Sequence, residues 1–252
     1  MIRIFYAETA KEAGALAAEV IADIVKENPE ATLGLATGSS PLDMYSTLAE
    51  KCSKGEISFK NVKTVNLDEY VGLTPDHDQS YAYFMRTNLF DKIDISLENT
   101  NVPSGIAKDP AAECARYDKI VESFGGVDVQ VIGIGNNGHI AFNEPADSFS
   151  YGTQLVNLTD STIDANSRFF ATRDEVPTQA LSMGIGQIMS AKKILLLANG
   201  VGKAEILEKS LFGEVTPRVP ASILRFAKDV VVFADKAALS VILEKHPESV
   251  IK

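Results

Sequence analysis

At 252 residues and 45% hydrophobic content the chain has the length of one α/β domain, and a chain of this size buries roughly 70–75% of the surface it exposes when unfolded. Its formal charge is −10, with no block of Lys or Arg, so its long-range field repels phosphate backbones and anionic lipid and excludes nucleic acid and membrane surfaces as partners. An anionic small molecule must then be captured locally, by oriented backbone N–H groups and a few basic side chains.

The N-terminal MIRIFYAETAKEA has no basic region leading into an apolar core, and no run approaches the roughly 20 apolar residues of a membrane span, which predicts a cytoplasmic protein. Thr9 and Glu12 have the spacing of a capping box, and Ala13, Leu16, Ala17, Val20, Ile21 and Ile24 recur on one helical face before Pro29. Short apolar runs follow: ATLGLA, VKTVNL, VDVQVIGIG, KKILLLAN and DVVVFAD. Between several of them lie helical patterns, PLDMYSTLAEKC, GKAEILEKSLF and KAALSVILEK. Alternation of helices with nearly all-apolar strands predicts an α/β fold over residues 1–252, a single doubly wound, Rossmann-like domain whose mainly parallel sheet carries helices on both faces. Cys52 and Cys114 sit in helix-like surroundings without a C-x-x-C pair and read as free thiols of a reducing compartment.

In open parallel sheets ligands bind beyond the carboxyl ends of the strands, which directs attention to ATGSSP, NLDEY, GIGNNGHIAFNEP and ANGVGK. In Thr37-Gly38-Ser39-Ser40-Pro41, glycine permits close backbone approach, Ser40 can cap a helix and Pro41 fits its first position. Such a turn suits a phosphate, and equally an ordinary capped strand-to-helix connection. Gly200-Val201-Gly202-Lys203 again opens a helix but lacks the spacing of a P-loop. Lys203 is either a solvated cation or a lysine aimed at a sugar phosphate. Asp68 and Glu69 are adjacent acids that point in different directions; most such acids are solvated, but one held in a crevice could act as a general base if burial raised its pKa.

Gly133, Gly135 and Gly138 formally match the dinucleotide fingerprint G-x-G-x-x-G. That motif requires its third glycine inside a helix, and Pro145 forbids a long helix here. His139 and Glu144 therefore fall on a compact loop, where Glu144 can fold back to orient the imidazole. A lone histidine is more often structural, but one in a glycine loop at a strand end is a better candidate than most. His77 and His246 read as solvated. With three scattered histidines and no H-x-x-x-H or C-x-x-C pattern, no bound metal and no cofactor is expected, and the arrangement of zinc nucleobase deaminases is excluded.

Together LGLATGSSP, VNLDEYVGL, SYAYFM, IGIGNNGHIAFNEPADSF, ANSRFF, ALSMGIGQI and GKAEIL, in that order, resemble the glucosamine-6-phosphate deaminase family over nearly the whole chain. The resemblance implies conversion of glucosamine 6-phosphate and water to fructose 6-phosphate and ammonia. It implies ring opening by His139 supported by Glu144 and Asn137, and proton transfer from C2 to C1 by Asp68. Phosphate anchoring falls by similarity to Gly38, Ser39, Arg168 and Lys203.

Two features depart from relatives of this family. Some carry aspartate where this chain has Asn137, which cannot hold a negative charge. The regulated enteric members carry a basic cluster after the FNEP motif, whereas this chain reads SYGTQLVNLT, which predicts little or no allosteric activation. A 6-phosphogluconolactonase shares the glycine loop but typically continues into Ser-Leu-Phe-Pro; Glu144 and NLDEY favour the deaminase. A non-catalytic sugar-phosphate sensor is disfavoured by retention of every acid/base residue. Oligomeric state stays open, since related enzymes occur both as monomers and as hexamers.

Overall fold

The computed structural model describes residues 2–252; Met1, part of the expected domain, lies outside the described residues. In chain order the strands are β1 (Ile2–Ala7), β2 (Thr32–Leu35), β3 (Lys63–Asn66), β4 (Asp68–Tyr70), β5 (Thr100–Asn101), β6 (Val129–Ile132), β7 (Gln154–Asn157), β8 (Gln179–Ser182), β9 (Lys193–Ala198), β10 (Val230–Asp235) and β11 (Val250–Ile251). The α-helices are α1 (Ala10–Glu27), α2 (Leu42–Ser53), α3 (Tyr81–Asn88), α4 (Pro110–Ser123), α5 (Asp160–Asn166), α6 (Ile185–Ser190), α7 (Ala204–Phe212) and α8 (Ser240–Lys245).

Eight strands form a parallel sheet in the order β11-β1-β10-β9-β6-β2-β3-β5. Every residue of β2 and β6 is buried, and because successive side chains point to opposite faces, both faces of the sheet are covered. The five apolar runs of the sequence are its central strands. α1 is capped by Thr9 as the sequence predicts, its hydroxyl accepting from Glu12 N, but the returning Glu12 carboxylate accepts from Glu8 N, one residue before the cap.

Chain direction creates the site. After β2 the chain proceeds outward to β3 and β5, then returns to β6 on the other side of β2 and continues to β9 and β10. The carboxyl ends of β2 and β6 therefore flank the topological switch point, where connecting loops diverge and leave a crevice.

A second sheet was not anticipated. β4, β8 and β7 pair antiparallel, with Asp68 opposite Ser182 and Gln154 also opposite Ser182. With Tyr70, Phe142, Leu158, Ile163, Val176 and Ala180 this layer has a small core of its own. Tyr81 stacks on Phe142 at 6.2 Å between ring centroids, and Tyr70 lies 4.8 Å from Tyr81. β7 and β8 come from the chain between β6 and β9, and β4 from the connection between β3 and β5, so the layer is assembled beside the crevice from two separate excursions. Among the described residues no helix is long and apolar enough to cross a membrane.

Three local expectations need correction. Ser40 caps nothing: α2 begins at Leu42, one residue later than expected for a helix with Pro41 in its first turn, and no side chain caps it. His246 is half-buried, its ring stacked on Phe212 at 3.9 Å and its Nε2 3.3 Å from Glu208 Oε1. Asp68 and Glu69 lie on a strand and are both buried, 7% and 2% exposed. His77 is exposed, as expected, and both cysteines are free thiols, although Cys114 is buried.

Candidate active site

A crevice of about 750 Å³ opens over the ends of β2 and β6. Gly38, Ser39, Asp68, Asn137, His139, Arg168 and Lys203 all line it. Glu144 does not; it stands behind His139 and Asn137.

The glycine loop after β6 is not a dinucleotide turn, since residues 133–138 continue into an isolated bridge between Ile140 and Asn143 and no helix follows. Its second glycine has a steric reason. A Cβ on Gly135 would sit 2.2 Å from the His139 ring, so the imidazole lies directly against the backbone only because no side chain intervenes. Gly135 N donates to His139 O at 2.8 Å and closes the loop. Ala141, on the crevice wall, holds φ +51°, a left-handed conformation that an L-residue with a Cβ adopts only under constraint. The constraint is visible in its neighbours: Phe142 N donates to Ser182 Oγ, and Asn143 Nδ2 donates to the carbonyls of Ile140 and Met183.

Glu144 is held by two donors. Asn137 Nδ2 donates to Oε2 at 2.6 Å and Thr162 Oγ1 donates to Oε1 at 2.6 Å. His139 Nδ1 lies 3.4 Å from the same Oε1, close enough to feel its charge but without an aligned hydrogen bond of its own. Burial by itself would raise the Glu144 carboxyl; proximity of His139 and donation from Thr162 and Asn137 outweigh it and hold the group down at about 2. Glu144 is thus a fixed anion, and Asn137 supplies a donor where an aspartate would have added a second charge. Asn137 also accepts from His139 N through Oδ1, tying the loop to the same pair.

Asp68 has the opposite environment. Burial, and secondarily the neighbouring Glu69 charge, push its carboxyl up to about 8. Glu69 points away and accepts N–H bonds from Tyr70, Tyr81 and Ala82 at 2.8–2.9 Å, pinning the start of α3 to β4. Burial nonetheless pushes Glu69 up to about 7 against those donors. Tyr81, so fixed, lines the crevice beside Asp68.

The remaining part of the crevice is cationic. Lys203, in the turn Val201–Lys203 ahead of α7, donates to Asn136 Oδ1 at 2.6 Å. Burial and, next, the charge of Arg168 lower its pKa, so the two cations converge. Arg168 lies 4.6 Å over the Phe169 ring. Gly38, at φ +90° with open space on its Cβ side, and Ser39 bring backbone and hydroxyl donors from the β2 loop. Asp235 at the end of β10 accepts from Gly200 N at 3.0 and 3.1 Å and fixes the turn that presents Lys203. The arrangement suits a small, phosphorylated polyol with acid–base chemistry at its far end. Among the described residues no three His, Cys, Asp or Glu side chains converge as a metal cage.

Sequence reasoning missed Tyr81, Asn136, Ser161, Thr162, Asn166 and Phe169, which also line the crevice. Four of them fall within the quoted motifs, Asn136 in IGIGNNGHIAFNEPADSF, Tyr81 in SYAYFM and Asn166 and Phe169 in ANSRFF, but no spacing marks Ser161 or Thr162.

The profile of the family described as glucosamine-6-phosphate isomerases/6-phosphogluconolactonase matches residues 6–233. A glucosamine-6-phosphate deaminase of Thermoanaerobacter sp. is 50% identical over 96% of this chain and 94% of its own length. One of Lachnoclostridium phytofermentans is 55% identical over 86% of this chain and 92% of its own length. Among solved structures, a monomeric glucosamine-6-phosphate deaminase superposes with a TM-score of 0.93 at 44% identity, covering 95% of this chain and 99% of that one. A 6-phosphogluconolactonase from Thermotoga maritima shares the fold at a TM-score of 0.73 but only 19% identity. With a crevice at the switch point and a family match across nearly its full length, the chain belongs to the glucosamine-6-phosphate isomerase/6-phosphogluconolactonase family.

Proposed function

We infer that the protein is a glucosamine-6-phosphate deaminase, converting glucosamine 6-phosphate and water to fructose 6-phosphate and ammonia. The observation that carries this reading is one crevice with an elevated carboxyl group, Asp68, on its wall, a histidine backed by a fixed anion, and two converging cations, Arg168 and Lys203.

The phosphate binds Arg168 and Lys203, with the Gly38–Ser39 turn closing around it. His139 moves a proton between the anomeric hydroxyl and the ring oxygen, and the Glu144 anion steadies the imidazolium that forms. Asp68, once ionised, takes the C2 proton of the open-chain aminoaldehyde while the C1 carbonyl oxygen gains a proton from solvent, and an enolamine forms. The enolamine takes a proton at C1 and becomes the ketimine. Water adds to C2, the C–N bond breaks, and ammonia leaves with fructose 6-phosphate. A carboxyl near 8 is a stronger base toward a C–H bond than one at its usual value, at the cost of being largely protonated below that pH. The partner is a small phosphorylated sugar, and a phosphorylated substrate is consistent with a cytoplasmic enzyme.

Purified protein mixed with glucosamine 6-phosphate should release ammonia and fructose 6-phosphate in equal amounts, and should not hydrolyse 6-phosphogluconolactone. Lactone hydrolysis without ammonia release would replace this reading with the lactonase one.

A further inference from the structure

Glu144 is reached from two directions. Asn137 approaches from the glycine loop after β6, which also carries His139. Thr162 approaches from α5, a seven-residue helix in the excursion between β7 and β8. Its hydroxyl takes the same oxygen, Oε1, that faces His139 Nδ1. Thr162 is in turn supported from behind, because Thr159 Oγ1 donates to Thr162 Oγ1 at 3.1 Å. Hydroxyls in series polarise one another, so the last donor, the one on the carboxylate, is strengthened. The helix is held on its outer side as well: Arg173 Nε donates to Asp164 Oδ1 at 2.5 Å and its Nη2 to Asp160 Oδ1 at 2.9 Å. The same short segment leads into Asn166 and Arg168, which line the crevice.

We propose that Thr162 is a positioning residue for ring opening: its hydroxyl fixes Glu144 Oε1 relative to His139 and so makes the acid–base pair depend on the docking of α5, the segment that also brings Arg168 to the phosphate. Resting on the deaminase reading above, the proposal gives α5 two tasks. Phosphate contact through Arg168 seats the helix, and the seated helix orients the carboxylate behind the histidine. Thr162 touches no reacting atom. Without it, Glu144 keeps Asn137 on Oε2 but is free to rotate about that single bond, and the imidazole loses a fixed anion. The loss falls on ring opening and leaves recognition of the phosphate and of an open-chain sugar untouched.

The test compares wild type with Thr162→Val and Thr162→Ser. It measures ammonia release and the affinity for 2-amino-2-deoxyglucitol 6-phosphate, an open-chain analogue that needs no ring opening. Valine keeps the volume and removes only the hydroxyl. Thr162→Val should lower kcat roughly 10-fold, the order expected when one hydrogen bond to a charged group is removed. The affinity for the open-chain analogue should stay within about twofold, and Thr162→Ser should return kcat to within about threefold of wild type. Thr162→Ala gives the same readout should valine prevent folding. Wild-type kcat in the hydroxyl-free variant, failure of serine to restore the rate, or a parallel loss of analogue affinity would each overturn the proposal; the last is the signature of a helix that has merely loosened. Absence of ammonia release by wild type would instead sink the deaminase reading.

Discussion

Asp68 and Glu144 are carboxyl groups associated with one crevice, and their surroundings drive them apart. Asp68 sits on β4 with no donor among the described residues to offset its burial and a second acid beside it, and it rises to about 8. Glu144 is also largely desolvated, but an amide, a hydroxyl and an imidazole surround it, and it falls to about 2. Burial is common to both, so the donors decide the sign. Where two titratable groups are pushed in opposite directions within one site, they are suited to opposite tasks, here a proton carrier and a permanent anion.

The largest expected effect breaks the first half of that comparison. Asp68→Asn keeps the shape and removes the base, so kcat for ammonia release should fall roughly 10²–10⁴-fold while substrate affinity, read by calorimetry, changes little. At the cationic part of the crevice the split reverses. Lys203→Ala should raise KM roughly 10–100-fold, the scale of a charge-assisted contact, and leave kcat nearly unchanged.

Stability against pH sharpens the contrast further. The folded-state pKa of Asp68 lies above its ordinary 3.8; its contribution is therefore fully present below about 4 and is lost as pH rises toward about 8. Glu144 lies below its ordinary 4.5, so its contribution is present above that value and is lost as pH falls toward about 2. Thermal melts of Asp68→Asn should accordingly gain on wild type between pH 5 and pH 8.5. Glu144→Gln should instead lose most against wild type at neutral pH and converge with it in acid. The smallest effect concerns Ala141. Ala141→Gly relieves a positive φ worth about 1–2 kcal/mol against an entropy cost of about 0.5–1 kcal/mol, for a net gain of about 0.5–1 kcal/mol in chemical denaturation.

How much of this was legible in the sequence follows from the two sheets. Central strands of the large sheet are buried on both faces, so they stand out as apolar runs, and the loops at their tips are rich in glycine and polar residues. The strands β5 and β11 have two residues each, too short for a pattern, and β1 carries Arg3 and Tyr6 within its run. The small sheet was hidden for a different reason. β4 reads Asp-Glu-Tyr, all buried, and β7 alternates half-buried with exposed residues across only four positions. Strand-end loops and family resemblance pointed to Asp68, His139, Arg168 and Lys203, which line the crevice, and to Glu144, which lies behind His139. They did not point to Thr162, because its role arises from a contact with Glu144 across 18 positions of chain. Serine 40 shows the converse, a residue with the right identity for a cap at a helix start that the backbone places one residue further on.

The most direct test follows the hydrogen on C2 of glucosamine 6-phosphate by nuclear magnetic resonance in deuterated water, with wild type and Asp68→Asn side by side. Wild type should remove that hydrogen as ammonia appears, and Asp68→Asn should leave it in place on bound and recovered substrate alike. Removal of the C2 hydrogen by the variant at the wild-type rate would show that another group carries the proton, and would contradict the assignment of Asp68.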